Sequence, residues 1–198
     1  MACKADAYDP MEKAMIVFCE EQKISKEELF GSELVKEYPF TNDTKMMGNV
    51  WAQDGKMLVT AKGSPEKILQ ICELTQLELA HTENKINAMA ERGLRVIAVG
   101  EMIISNITDV PEKLAECKLQ FCGVVGLADP PRDSVKQDVE TCIKAGVRVV
   151  MITGDNGITA SAIARQIGMA DRDKIITGDE IDKMSQEQLK EKIKNVRI

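Results

Sequence analysis

Thr153-Gly154-Asp155-Asn156 places a hydroxyl, a carboxylate and backbone N–H groups in one short turn, between an apolar run from Val147 to Ile152 and a helical pattern. Such groups at the carboxyl end of a buried strand, beside a helix N-terminus, suit an anion or a phosphoryl group. The same turn also starts a helix, with Gly154 reversing the chain and Asp155 or Asn156 capping it, so the turn alone leaves both uses open. Two cations offer related chemistry. Lys62, in the string KGSPE, ends a strand-like run next to a helix N-terminus and is either a phosphate-attracting charge or a solvated lysine. Arg95 interrupts the apolar start of LRVIAVGEMI and either lies on an exposed sheet face or points into a cleft as an anion ligand. Metal chemistry finds no support. The six cysteines form no Cys-x-x-Cys pair and His81 is the only histidine, so no zinc set assembles at the usual spacing; the cysteines read as buried thiols of a reducing compartment.

The elements that must position these groups follow from pattern. Residues 9–22 carry apolar positions at Met11, Ala14, Met15, Val17 and Phe18, which predicts an amphipathic helix with Pro10 in its first turn and Glu12 near its start. A short helix over 26–30 closes at Gly31. Two strands, about 46–52 and 56–62, flank Asp54-Gly55, a strong hairpin signal. Ser64 and Pro65 suit the cap and first position of a helix whose apolar face is Ile68, Leu69 and Cys72. A helix over 82–92 ending at Gly93 leads into a buried strand, and a further strand from Leu119 is stopped by Asp129-Pro130-Pro131-Arg132, a stiff strut or hinge. Helix 134–145, strand 147–152 and helix 158–167 give a β-α-β-α order, hence a parallel sheet. A strand-like 174–177, a turn at 178–179, a helix over 185–194 and a strand beginning at 195–198 complete the chain. The fold class is therefore α/β: an antiparallel α+β part over 1–128 and half of a parallel domain over 129–198.

With 198 residues, 44% of them hydrophobic, the chain can bury a real core. Acidic residues outnumber basic ones, 32 to 26, and the basic ones are scattered, so nucleic acid is not an expected partner. No apolar run approaches the roughly 18–20 residues of a membrane span and the N-terminus has no signal-peptide core, so the chain as it stands is expected to be soluble and cytosolic.

Four strings coincide in order: EYPFTNDTKMM, KGSPE, GLADPPR, and MITGDN followed by ITASAIA. Together they resemble the cytoplasmic portion of a P-type cation-transporting ATPase of type II, calcium-pump-like, from within the nucleotide-binding domain into the phosphorylation domain. The resemblance implies a nucleotide-binding domain over 1–128 and part of a haloacid-dehalogenase-like phosphorylation domain over 129–198. It implies ATP as ligand, with Phe40 stacked on adenine, Lys45 in the same pocket, Lys62 lining the adenosine site, Glu12 at the adenine edge and Arg95 on the phosphates. Asp129 and Arg132 match an interdomain hinge, and Thr153, Gly154 and Asp155 match the turn that meets the γ-phosphate. The parent reaction is attack by an aspartate on the γ-phosphoryl group, with Mg2+, coupled to cation transport across a membrane. Its partners are the transmembrane and actuator domains, and the implied location is the cytoplasmic face of that membrane.

Departures from the family pattern narrow this. Asn42 stands where many calcium pumps have an arginine. Neither an Asp-Lys-Thr-Gly-Thr string nor a Gly-Asp-Gly-x-Asn-Asp string is present, so no catalytic residue is assigned and the chain is expected to be an excised fragment that binds ATP weakly and hydrolyses none. His81 is followed by Thr82, not proline, which disfavours the heavy-metal branch and leaves the calcium and sodium-potassium branch. Two other functions compete with this one. A stand-alone haloacid-dehalogenase phosphatase needs a nucleophilic aspartate after an early strand, which the residues before 129 do not offer. A non-catalytic binding module leaves the joint occurrence of KGSPE and DPPR unexplained.

Overall fold

A computed structural model describes residues 1–198. The chain divides into two compact units, Met1–Glu83 with Val96–Leu127, and Asn84–Arg95 with Ala128–Ile198.

The first unit is built on one five-stranded sheet whose strands lie in chain order: β1 (Glu33–Tyr38), β2 (Met46–Gln53), β3 (Lys56–Gly63), β4 (Arg95–Ile104) and β5 (Gln120–Leu127). Asp54 and Gly55 both take positive φ, 50° and 74°, the primed turn that matches the strand twist of a two-residue hairpin. Register then runs without slip from Gln53 opposite Lys56 to Met46 opposite Gly63. Because side chains alternate, Met46, Val50, Val59 and Ala61 share one face, where they pack with Tyr38, Ile68, Ala98, Leu114 and Leu119. Met47, Asn49, Trp51, Thr60 and Lys62 share the other. That face is covered by α1 (Pro10–Glu21) and α2 (Lys26–Phe30), whose Phe30 ring lies 6.0 Å from Trp51.

Several elements differ from the sequence pattern, each for a physical reason. The helix α1 buries Glu12 and Ile16 and leaves Val17 and Phe18 exposed, because its inner face must bring a carboxylate to Lys62. Strand β1 has no apolar alternation to announce it. It is held at the sheet edge by Lys36, whose ammonium donates to the Pro111 and Glu112 carbonyls at 2.8 and 3.1 Å, and by the Tyr38 hydroxyl, which donates to Pro111 at 2.6 Å. The helix at Pro65 lasts one turn, α3 (Pro65–Ile68), and tightens into a 3-10 turn. The next helix, α4 (Gln76–Glu91), starts at Gln76 and not Thr82. Thr75 donates its N–H and hydroxyl to the Glu78 carboxylate at 2.9 and 2.7 Å, a capping box that the apolar spacing does not reveal.

The second unit holds α5 (Val135–Lys144), α6 (Gly157–Gln166), α7 (Gly178–Ile181) and α8 (Gln186–Lys192), with a core of Val139 from α5, Ala160 and Ala164 from α6, and Ile167, Met169 and Ile198. The parallel strands expected at 147–152 and 174–177 do not form ladders. Isolated bonds take their place: Met151 N–H to the Arg197 carbonyl at 2.9 Å, Ile176 N–H to Ile198 at 3.0 Å and Arg197 N–H to Lys174 at 2.8 Å. A parallel strand needs neighbours on both edges and cover on both faces; Val147 and Ile152 lack that cover, Ile152 being 96% exposed. No helix of the chain is long and apolar enough to cross a membrane.

Two adjacent residues make opposite predictions. A Cβ on Gly63 would lie 2.5 Å from the Lys45 carbonyl oxygen and 2.8 Å from Met46 Cα, both backbone, so Gly63→Ala forces strands apart and should cost about 1–3 kcal/mol. Ser64 sits at the N-cap of α3, yet its buried hydroxyl has no hydrogen-bond partner. Ser64→Ala should therefore be neutral or slightly stabilising, whereas a bonded cap would lose about 1 kcal/mol. Urea midpoints of the two variants decide both points; equal losses would contradict this packing.

Candidate functional site

Asp9 fixes one side of the site. Its carboxylate accepts the N–H groups of Met11 and Glu12 at 2.8 and 3.2 Å, and Pro10 presets the first helical turn, so Glu12 leaves α1 toward the sheet. Lys62 meets it from β3, between Met47 of β2 and Val99 of β4. The two form an ion pair across 50 residues of sequence, with side chains only 8% and 7% exposed. Cys3 lies against this pair, and burial pushes its thiol above the ordinary range while the Lys62 charge pulls the other way. The resemblance expects Glu12 and Lys62 near a ligand; in the structure each also neutralises the other.

The loop after β1 forms a second wall. The Thr41 and Thr44 hydroxyls bond each other at 2.7 Å, Thr44 N–H donates to Thr41 Oγ1 at 3.1 Å, and Lys45 N–H donates to the Thr41 carbonyl at 2.8 Å. Lys45 takes a positive φ of 50°, and its carbonyl accepts the Ser64 N–H at 3.0 Å. This seats the Phe40 loop against the KGSPE turn, where Gly63 permits the close approach. Phe40 itself is 55% exposed, a large aromatic ring presented to solvent. Lys45 is exposed as well.

Asn49 was missed by sequence reasoning, although a polar residue inside the run MMGNVWA is the signal that could have found it. Its amide nitrogen donates to the Met1 and Cys3 carbonyls, each at 3.0 Å, and its buried oxygen has no partner. Asn49 thus ties the first residues to the Lys62 face of β2.

Arg95 and the Thr153–Asn156 turn belong to the second unit. There the Thr159 hydroxyl donates to the Leu94 carbonyl at 3.1 Å, which holds residues 84–95 on α6, and Arg95 pairs with Asp155 at 2.8 Å. The turn is braced by the Asp155 N–H on Thr153 Oγ1 at 3.1 Å and by the Ile158 N–H on Asn156 Oδ1 at 2.9 Å. Gly154 has no positive φ, and a Cβ there would meet nothing within 4 Å. The turn itself does not require glycine. Asp129 and Arg132 lie in the segment before α5, Asp129 exposed and Arg132 half-buried.

No group of three or more His, Cys, Asp or Glu side chains is placed to hold a metal ion. The first unit offers an exposed aromatic ring after β1 and a mutually neutralised ion pair between α1 and β3, and the second unit a braced turn.

Residues 5–134 match the family model for the P-type ATPase cytoplasmic domain N. The chain is similar to a sodium/potassium exporting P-type ATPase of Schizosaccharomyces pombe, cta3, with 37% identity over 91% of this chain and 20% of that protein. It is also similar to the calcium-transporting ATPase 1 of Bacillus cereus, 34% identical over 96% of this chain and 23% of that protein, and to that of Saccharomyces cerevisiae, 35% identical over 83% and 19%. The chain spans about a fifth of the length of these relatives. Matched over more than half its length by the domain N model and over most of it by cation pumps, the chain belongs to the P-type ATPase family and carries that family's cytoplasmic N domain.

Proposed function

We propose that this chain is the ATP-holding part of a P-type pump that passes the γ-phosphoryl group through an aspartyl-phosphate and couples that chemistry to cation transport, calcium being the first choice of ion. The observation that carries the reading is the meeting of Glu12 and Lys62. Both match family positions lining the adenosine site, they lie 50 residues apart, and they come together buried on one sheet face. The Phe40 loop is hydrogen-bonded to the turn beside them. Phe40 stacks on adenine, Lys45 and Lys62 line the pocket, Glu12 sets its polar edge, and Arg95 contacts phosphate. Thr153, Gly154 and Asp155 receive the γ-phosphate; an open glycine in that turn leaves room for a phosphoryl group. Asp129 and Arg132 act as the hinge between a nucleotide domain over 1–128 and a phosphorylation-domain segment over 129–198. Magnesium bound to the nucleotide would supply neutralisation of its phosphate charge. The transmembrane and actuator domains of the parent pump are the partners, on the cytoplasmic face of its membrane.

The binding claim is tested by titrating the chain with ATP while following amide NMR shifts. Saturable shifts are expected, and Phe40→Ala should weaken binding by about 1–3 kcal/mol, the worth of one stacked base. A well-dispersed spectrum that ATP leaves unmoved would overturn the reading. Phosphate release by the same sample should not exceed that of a buffer control, since these 198 residues hold no Asp-Lys-Thr-Gly-Thr string; turnover above it would sink the aspartyl-phosphate assignment. Lys62 needs a different test, because Lys62→Ala leaves the Glu12 carboxylate buried and alone, at a cost of about 3–5 kcal/mol. The double variant Glu12→Gln, Lys62→Met should recover most of that stability in a thermal melt. A single variant as stable as wild type would show that the pair is not buried as described.

A further inference from the structure

We infer that the outer face of α1 is a pairing surface for a second copy of this chain, the two helices running antiparallel about a two-fold axis near Val17. The sequence pattern marks Ala14, Val17 and Phe18 as apolar positions of one helix, and the fold of the first unit does not absorb them. At about 100° per residue, the buried Glu12 and Ile16 fall on one side of α1 and these three on the opposite side. Val17 and Phe18 are 50% and 55% exposed, and Tyr8, just before the helix, is 92% exposed. An apolar row of this kind on a helix face suits another helix.

The face is complementary to itself. Lys13 and Glu20 flank the apolar row on the same side, two turns apart and opposite in charge. Antiparallel pairing about a two-fold axis sets Lys13 of each copy against Glu20 of the other. The same axis sets the small Ala14 of each copy against the large Phe18 of the other, because both pairs are centred at the level of Ile16 and Val17. Parallel pairing would instead bring Lys13 to Lys13 and Glu20 to Glu20. Within one chain both charges are lightly held: the Lys13 ammonium lies 5.8 Å from the Tyr8 ring centroid, and Glu20 meets Lys26 at 3.8 Å in a solvent-exposed pair. A helix of 12 residues is about 18 Å long. Two such faces bury less than the roughly 1,200 Å² of a stable interface, so the dimer is weak.

The test is sedimentation equilibrium of the full 198-residue chain between about 20 μM and 1 mM, with amide NMR shifts followed on dilution. The mean mass should climb from monomer toward dimer, and the shifts that move should cluster in residues 8–21. Phe18→Ser should stay monomeric throughout, and so should Ala14→Glu, which keeps a good helix former at an exposed position should Phe18→Ser fail to fold. Lys13→Glu and Glu20→Lys should each weaken association by about three- to tenfold, since each turns two attractive pairs into two repulsive ones. An equimolar mixture of those two variants should pair more tightly than either alone, and the double variant Lys13→Glu, Glu20→Lys should return to within about threefold of wild type. A wild-type chain that is monomeric at 1 mM overturns the inference, as does a dimer indifferent to the charge reversals. Association lost in Ile152→Asp and kept in Phe18→Ser places the contact in the second unit and overturns it as well.

Discussion

The buried pair of Glu12 and Lys62 constrains the first unit more than any apolar contact does. Two charges taken out of water each carry a desolvation penalty of several kcal/mol, repaid only when they meet in good geometry. That requirement sets the rotation of α1 about its axis. A helix turned to hide its largest apolar side chains would bury Phe18 and Val17; this one leaves both exposed and buries Glu12 with Ile16, one turn apart on the same face. Asp9 and Pro10 fix the first turn that aims Glu12, and the unbroken β2–β3 register fixes the strand that aims Lys62. A one-residue slip of β3 would carry Lys62 to the opposite face and leave Glu12 alone.

From that pair the site follows by backbone contact. Gly63, next to Lys62, lies so close to the Lys45 carbonyl and Met46 that no side chain fits between, and the Ser64 N–H bonds the same carbonyl. The loop from Thr41 to Lys45 is thereby pressed against the end of β3, and Phe40 at its base keeps its ring more than half exposed. An exposed phenylalanine is ordinary by itself. What distinguishes this one is the loop that follows it, which main-chain hydrogen bonds through Lys45 tie to the end of β3.

How much of this could be read in advance depended on whether the signal was local. The hairpin was legible because Asp54-Gly55 demands positive φ at both positions, and α6 because Asn156 caps its first turn. The Phe40 loop, KGSPE and the Thr-Gly-Asp turn were legible as strings. Strand β1 was not, since Glu33, Lys36 and Glu37 mask any alternation and its anchorage to Pro111 is made by residues distant in sequence. The start of α4 was missed because Thr75 and Glu78 act through side-chain bonds, not apolar spacing. The run from Val147 to Ile152 read as a buried strand because its residues favour one. Propensity supplies no partner, and without neighbours the segment forms one bond to Arg197 in place of a ladder.

The same contrast between local chemistry and surroundings separates the two ion pairs of the chain's candidate residues. Glu12 and Lys62 are both almost wholly buried, so breaking them strands a charge in a medium that cannot solvate it. Arg95 and Asp155, 2.8 Å apart, have side chains 51% and 23% exposed, so water and salt screen this pair more than the other. One pair is therefore part of the framework and cannot serve as a free cation for a ligand. The residue types are nearly the same in the two pairs. Burial decides which of them holds the fold.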